Sequence, residues 1–188
     1  YNSELELELS VENECLRFLI APMMHYAYES QLIIVSVAKI VTSGYDNELL
    51  IYSESGELVN LTPLPTHAFS ILSKENKIYY GTSDANGVNT FQAKLIIIDL
   101  EGNPIAETEI EDHFWPEYNT SAVYNLTSTC DGGLVGTTDL QKVYWVDGEP
   151  DYSHENDLGL LKFDELGNML WSRHYRFLNT ERYYPLHL

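Results

Sequence analysis

The sequence predicts an all-β protein assembled from repeated four-stranded antiparallel units. Three observations carry this. First, 14 Tyr, 6 Phe and 3 Trp stand among many β-branched residues, and such side chains pack well on pleated surfaces. Second, three segments align without gaps: Leu49–Val59 (LLIYSESGELV), Leu95–Ile105 (LIIIDLEGNPI) and Leu160–Leu170 (LLKFDELGNML). Each is an apolar run, a polar or acidic residue, a glycine at a constant offset (Gly56, Gly102, Gly167) and a second apolar stretch. That is a strand, a tight turn and a returning strand, with glycine supplying the positive φ the turn needs and Glu or Asn beside it. Third, a further hairpin precedes two of these. Phe69–Asp84 (FSILSKENKIYYGTSD) matches Tyr124–Asp139 (YNLTSTCDGGLVGTTD) position for position, Gly81 falling on Gly136, and a weaker version lies at Met24–Val37. No helix of ordinary length is predicted.

A unit of four short strands every ~45 to 60 residues is the blade size of a β-propeller. The expected units are 21–65, 66–112 and 113–177, within a single propeller-like domain or fragment over residues 1–188. A further unit is expected to begin at 178–188, because Asn179–Leu186 echoes Asn119–Leu126. The strictly alternating Glu4–Ser10 (ELELELS) reads as a half-buried outer strand. Rings close with about four to eight blades, so three units and partial blades imply an incomplete ring. The expectation is further blades from a longer chain or a second subunit, or else an open β stack with covered ends. The chain starts at Tyr1 with no signal-like apolar run, which reads as a processed or trimmed N-terminus.

A formal net charge of −19 argues against a nucleic acid or an anionic membrane surface, since phosphates repel such a protein. It suits a cation, a neutral glycan or a basic protein patch, and it also serves plain solubility. No apolar segment approaches the ~20 residues needed to span a bilayer, so no membrane insertion is expected. Cys15 and Cys130 are far apart; one disulfide and two free thiols both remain open. The six histidines show no ligand spacing, and no cofactor is expected. The Asp131-Gly132-Gly133 and Asp84-Ala85-Asn86-Gly87 stretches lack the alternating oxygen ligands of a calcium loop and read as turns.

In the third unit, Thr129-Cys130-Asp131-Gly132-Gly133 is followed by Gly136-Thr137-Thr138-Asp139. Then come Asn156-Asp157-Leu158-Gly159-Leu160-Leu161-Lys162-Phe163-Asp164 and Gly167-Asn168-Met169-Leu170-Trp171-Ser172-Arg173-His174-Tyr175. This resembles the repeat of bacterial secreted and cell-surface β-propeller proteins of Bacteroidetes-like organisms, roughly T-x-D-G-G…G-x-T…D-x-x-L-x-K-x-D-x-x-G-N-x-x-W. The Gly-Asn-x-Leu-Trp piece is also similar to quinoprotein-like propeller repeats. The match is good over 124–175, moderate over 69–110 and poor in the first unit. The resemblance implies an extracytoplasmic location (secreted, periplasmic or cell-surface) and a binding or scaffolding role, and it carries no catalytic residues. It also implies that Trp171 packs between neighbouring blades, although Asn60 and Ala106 occupy the matching positions in the first two units.

One segment departs from the repeat: an insert at Leu140–Asn156 (LQKVYWVDGEPDYSHEN), read as a loop between the second and third strands of its unit. Insertions in one repeat map to loops, and loops often bind. In a meander, this loop shares a face with the loop entering the unit, His113–Tyr118. The candidate ligand-binding residues are therefore Trp115, Tyr118, Tyr144, Trp145 and Tyr152 as aromatic platforms, with Asp147, Glu149, Asp151 and His154 as polar contacts. Rings stack on the apolar faces of pyranoses, and carboxylates accept hydroxyl hydrogen bonds; the same tryptophans would equally serve to pin their own loops. The sequence supports a non-enzymatic binding module for a glycan or protein. Its alternatives are a carbohydrate-active hydrolase or lyase and a structural subunit completed by another chain. There is no Gly-x-Ser-x-Gly elbow or Cys/His pairing, so no catalytic residue is assigned.

Overall fold

The structure is a computed structural model and describes residues 23–41, 44–85, 91–110, 118–146 and 149–176. The strand expected at Glu4–Ser10 and the unit expected to begin at residue 178 lie outside the described residues.

Three antiparallel sheets follow one another along the chain, and no helix occurs among the described residues. The first sheet holds β1 (Met23–Ala27), β2 (Leu32–Val41), β3 (Gly44–Ser53) and β4 (Leu58–Leu64). The second holds β5 (Ser70–Lys74), β6 (Lys77–Ala85), β7 (Phe91–Asp99) and β8 (Pro104–Glu109). The third holds β10 (Tyr124–Ser128), β11 (Leu134–Val146), β12 (Glu149–Phe163) and β13 (Met169–Tyr175), with β9 (Tyr118–Thr120) pairing on β11. Each sheet is a simple up-and-down meander, so the all-β expectation holds.

The turns repeat in detail. In four hairpins the first turn residue takes a hydrogen bond from the glycine three positions on and donates its own N–H to the carbonyl after that glycine: Ser53/Gly56/Glu57, Asp99/Gly102/Asn103, Thr129/Gly132/Gly133 and Asp164/Gly167/Asn168. The glycines have φ of +84°, +89°, +88° and +84°, where a β-carbon is disfavoured. Asp99 and Asp164 reinforce the turn with identical bonds, each accepting from the backbone N–H and the side-chain amide of Asn103 or Asn168 at 2.7–2.9 Å. The β5–β6 turn is different. It is a two-residue turn with Glu75 and Asn76 both at positive φ, as a tight hairpin requires.

That difference corrects the ungapped hairpin match. Leu95 and Leu160 are equivalent, and their partners are Gly81 and Thr137. Gly136 instead pairs with Leu161, one residue out of step. The longer β10–β11 turn adds the extra residue on one side, and a bulge between Tyr124 and Thr127, with Asn125 at φ +48°, absorbs it on the other. A slip of one residue turns every side chain to the opposite face. Gly81 and Gly136 therefore lie on opposite faces of their sheets, for unrelated packing reasons.

The sheets stack through two apolar clusters. Ala27, Ile34, Leu49, Ile51 and Leu64 of the first sheet meet Ile71, Ile78, Tyr80, Ile96 and Ile98 of the second. Tyr79, Leu95 and Ile97 of the second meet Val123, Leu126, Leu134, Leu161 and Phe163 of the third. The second sheet is thus covered on both faces, which explains why Leu95-Ile96-Ile97-Ile98 shows no polar alternation. The sheets approach one another most closely along their first strands, β1 against β5 and β5 against β10.

The closest approach is at Gly81. A β-carbon there would collide with the Val123 carbonyl and with Ser70 Oγ, which donates to that carbonyl at 2.8 Å. Gly81→Ala is expected to cost about 2 kcal/mol or more in urea-induced unfolding, as inserted bulk and a broken buried hydrogen bond add. Gly56→Ala, with nothing within 4 Å of the added carbon, is expected to cost only its backbone strain, about 1 kcal/mol. Equal losses would show that close approach is not what demands glycine at residue 81.

Candidate functional site

The segment 140–156 is not an inserted loop. β11 and β12 pair on both sides of a register shift, residues 140–141 with 156–157 and 143–146 with 149–152, so the insert lengthens a hairpin into a ribbon of 13 and 15 residues. The run Val143-Tyr144-Trp145-Val146 is β-branched and aromatic throughout, which favours strand over loop. Residues 118–120 pair alongside, Tyr118 opposite Lys142 and Thr120 opposite Leu140. The backbone thus brings the start of the third unit beside the root of the ribbon.

Register distributes the candidate residues. Val143 stands opposite Tyr152, Tyr144 opposite Asp151, Trp145 opposite Pro150 and Val146 opposite Glu149. By the two-residue period of strands, positions 144, 149 and 151 belong to one face of the ribbon and 145 and 152 to the other. The aromatic platform read from sequence therefore divides, Tyr144 with the two acids and Trp145 with Tyr152. His154 falls where the register shifts between the Gln141–Asn156 and Val143–Tyr152 pairs. Trp115 and Asp147 lie outside the described residues.

The root of the ribbon is held by a hydrogen bond and an ion pair to one buried carboxylate. Asp157, its side chain 8% exposed, receives His174 Nε2 at 2.7 Å and Arg176 Nε at 3.6 Å. One rung away on β11, Asp139 is pushed up to about 6 by burial, and its carbonyl accepts the Ser121 N–H at 3.3 Å. Both aspartates belong to the repeat motif of the third unit, but only the fold reveals that Asp157 is buried and Asp139 half-buried.

The remaining motif residues have structural partners too. Lys162 is buried, and its ammonium donates to Thr129 Oγ1 at 2.7 Å, Asp131 Oδ1 at 2.9 Å and the Phe163 carbonyl at 3.3 Å. The Thr129 hydroxyl and Lys162 hold the Asp131 carboxyl well below the usual range. The Thr-x-Asp-Gly-Gly turn is thereby tied to β12. In the second sheet, buried Lys94 meets Glu107, Asp84 and Glu109 at 2.7, 2.9 and 3.1 Å, which raise its pKa. Trp171, expected between blades, is 39% exposed. Cys130 is an exposed free thiol, and Cys15 lies outside the described residues. Among the described residues no group of three or more His, Cys, Asp or Glu side chains is arranged to hold a metal ion.

A concavity of about 340 Å³ opens at the opposite end of the strands, where the first strands converge. Tyr26, Tyr28, Glu29, Lys74, Glu75 and Ser128 line it. Its residues are committed to one another: Glu29 accepts the Glu75 N–H at 3.3 Å, Lys74 donates to the Gly132 carbonyl at 2.6 Å, and the two tyrosines meet edge to face at 6.4 Å. It is not legible in the sequence because its lining comes from turns about 45 and 100 residues apart in the chain.

No protein-family model matches the chain, and no curated protein matches it either.

The Asp139 shift carries a pH signature. A carboxyl whose folded pKa lies above its unfolded value favours the native state when protonated, so its contribution falls as pH rises from about 4 to about 6. Asp139→Asn removes the half-buried charge. It is expected to raise the melting temperature at pH 7.5 by a few degrees and to change it little at pH 4. A thermal-unfolding series showing the same shift at both pH values would contradict the assignment.

Proposed function

We propose that this chain is a β-propeller-type binding module that works outside the cytoplasm, without catalysis, and recognises a glycan through the β11–β12 ribbon and the segment leading into β9. The observation that carries the reading is the ribbon. It extends one hairpin of one sheet beyond the 9- and 10-residue strands of its counterparts and is tied at its root by the contacts of Asp157 with His174 and Arg176. Aromatic positions on a paired ribbon suit stacking on a sugar at low entropic cost, and acidic positions suit hydroxyl hydrogen bonds. The propeller arrangement is supported by three successive meanders that come together along their first strands, and by turns that seat on the preceding sheet at equivalent places. The extracytoplasmic assignment rests on the repeat resemblance in the third unit.

On a glycan array, Trp145→Ala is expected to lower binding about tenfold or more, in line with the loss of a stacking anchor, while Asp151→Asn gives a smaller loss. Unchanged binding by both Trp145→Ala and Trp115→Ala would remove the ribbon from the site. A blank array with folded protein would turn the proposal towards a protein ligand.

A further inference from the structure

We propose that the third sheet docks the first sheet of a second copy of this chain, head to tail, by the contact through which each sheet here docks its successor. The contact recurs. On β4, Thr62 lies so close to Gly102 that a β-carbon on the glycine would collide with it, and the Asn60 amide donates to the Leu100 carbonyl of the same turn at 2.9 Å. On β8, Thr108 Oγ1 donates to the Gly167 carbonyl at 2.8 Å, and a β-carbon on Gly167 would lie 2.7 Å from Ile97 Cδ1. In each case the glycine turn between the third and fourth strands of one sheet sits on the fourth strand of the sheet before it. The receiving residue is fixed by register: Thr62 pairs with Leu49, and Thr108 with Leu95.

Among the described residues, both halves of this contact are unused on the outer faces of the first and third sheets. Gly56 is the matching turn glycine of the first sheet. A β-carbon there would meet nothing within 4 Å, in contrast to Gly102 and Gly167. In the third sheet the receiving position, opposite Leu160, is Arg173, and the position of Asn60 is Trp171; both are exposed. The apolar faces that accompany the contact are present as well. Ile33, Val35, Leu50 and Tyr52 of the first sheet stand where Ile78, Tyr80, Ile96 and Ile98 stand in the second. The second-sheet residues are buried under the first sheet, whereas their counterparts are half-buried. Val135, Leu158 and Leu160 of the third sheet are half-buried on the face bearing Trp171 and Arg173, and no other sheet covers that face among the described residues.

The substitutions at the free ends match each other. The two internal contacts join a threonine to Asp-Leu-Glu-Gly and Asp-Glu-Leu-Gly turns. The free turn is Ser53-Glu54-Ser55-Gly56-Glu57, with Glu54 and Glu57 exposed, and its proposed receptor is an arginine. Trp171 carries an N–H donor where Asn60 uses one on a turn carbonyl. Charge complementarity of this kind fixes partner and register. A head-to-tail contact of this type closes into a ring when the rotation permits. The proposal rests on the stacking geometry and stands or falls separately from glycan binding.

Sedimentation velocity over a concentration series tests it, with circular dichroism confirming that each variant is folded. The native chain is expected to associate reversibly, reaching at least twice the chain mass. Arg173→Glu should weaken association about tenfold or more, and adding Glu54→Lys and Glu57→Lys to that variant should restore it. A folded chain that stays monomeric throughout would overturn the proposal and leave these faces to another occupant, such as a further sheet of a longer chain. Association indifferent to Arg173→Glu would also overturn it, because the copies would then meet elsewhere.

Discussion

The structure depends on burying the second sheet on both faces. Leu95 and Ile97 point into one cluster and Ile96 and Ile98 into the other, so β7 is apolar at every position of its central run. Each fully buried side chain of this size is worth roughly 1.5–3 kcal/mol, and the return exists only if both neighbouring sheets are in place. The three meanders therefore form one cooperative body. Neither flanking sheet has a second apolar cluster of its own among the described residues.

Two kinds of polar contact set the spacing and angle of this stack. Glycine turns seat on the threonines of the preceding sheet, with main-chain carbonyls taking the hydrogen bonds. Near the converging first strands, Ser70 and Gly81 let the second sheet approach the Val123 carbonyl of the third. Lys162 and Lys94 work within single sheets, each buried ammonium being surrounded by hydroxyl, carboxylate or carbonyl oxygens without which it would be desolvated alone. The repeat motif of the third unit is thus largely accounted for by folding. Thr129, Asp131 and Lys162 tie a turn to a strand, Asp164 and Asn168 close another turn, and Asp157 holds His174 and Arg176. That leaves the motif little to spare for a ligand, and the candidate site instead occupies the ribbon where the third unit departs from its repeat.

Strand content, the turn glycines and the order of the units were legible in the sequence, because period-two apolar patterns and positive-φ turns are local properties of the chain. The equivalence of Leu49, Leu95 and Leu160 was legible for the same reason. The ribbon was only half legible: its aromatic and acidic residues stood out, but a repeat comparison reads extra residues as a loop, and their division between two faces follows from a register that sequence does not carry. The match of Gly81 with Gly136 does not hold in space, since a bulge at Asn125 and a longer turn shift the strand by one residue without disturbing the sequence match. The burial of Asp157, the partial burial of Asp139, the exposure of Trp171 and the open space beside Gly56 were decided by tertiary structure alone. Each depends on which sheet lies against which face, and that is settled by contacts between residues tens of positions apart.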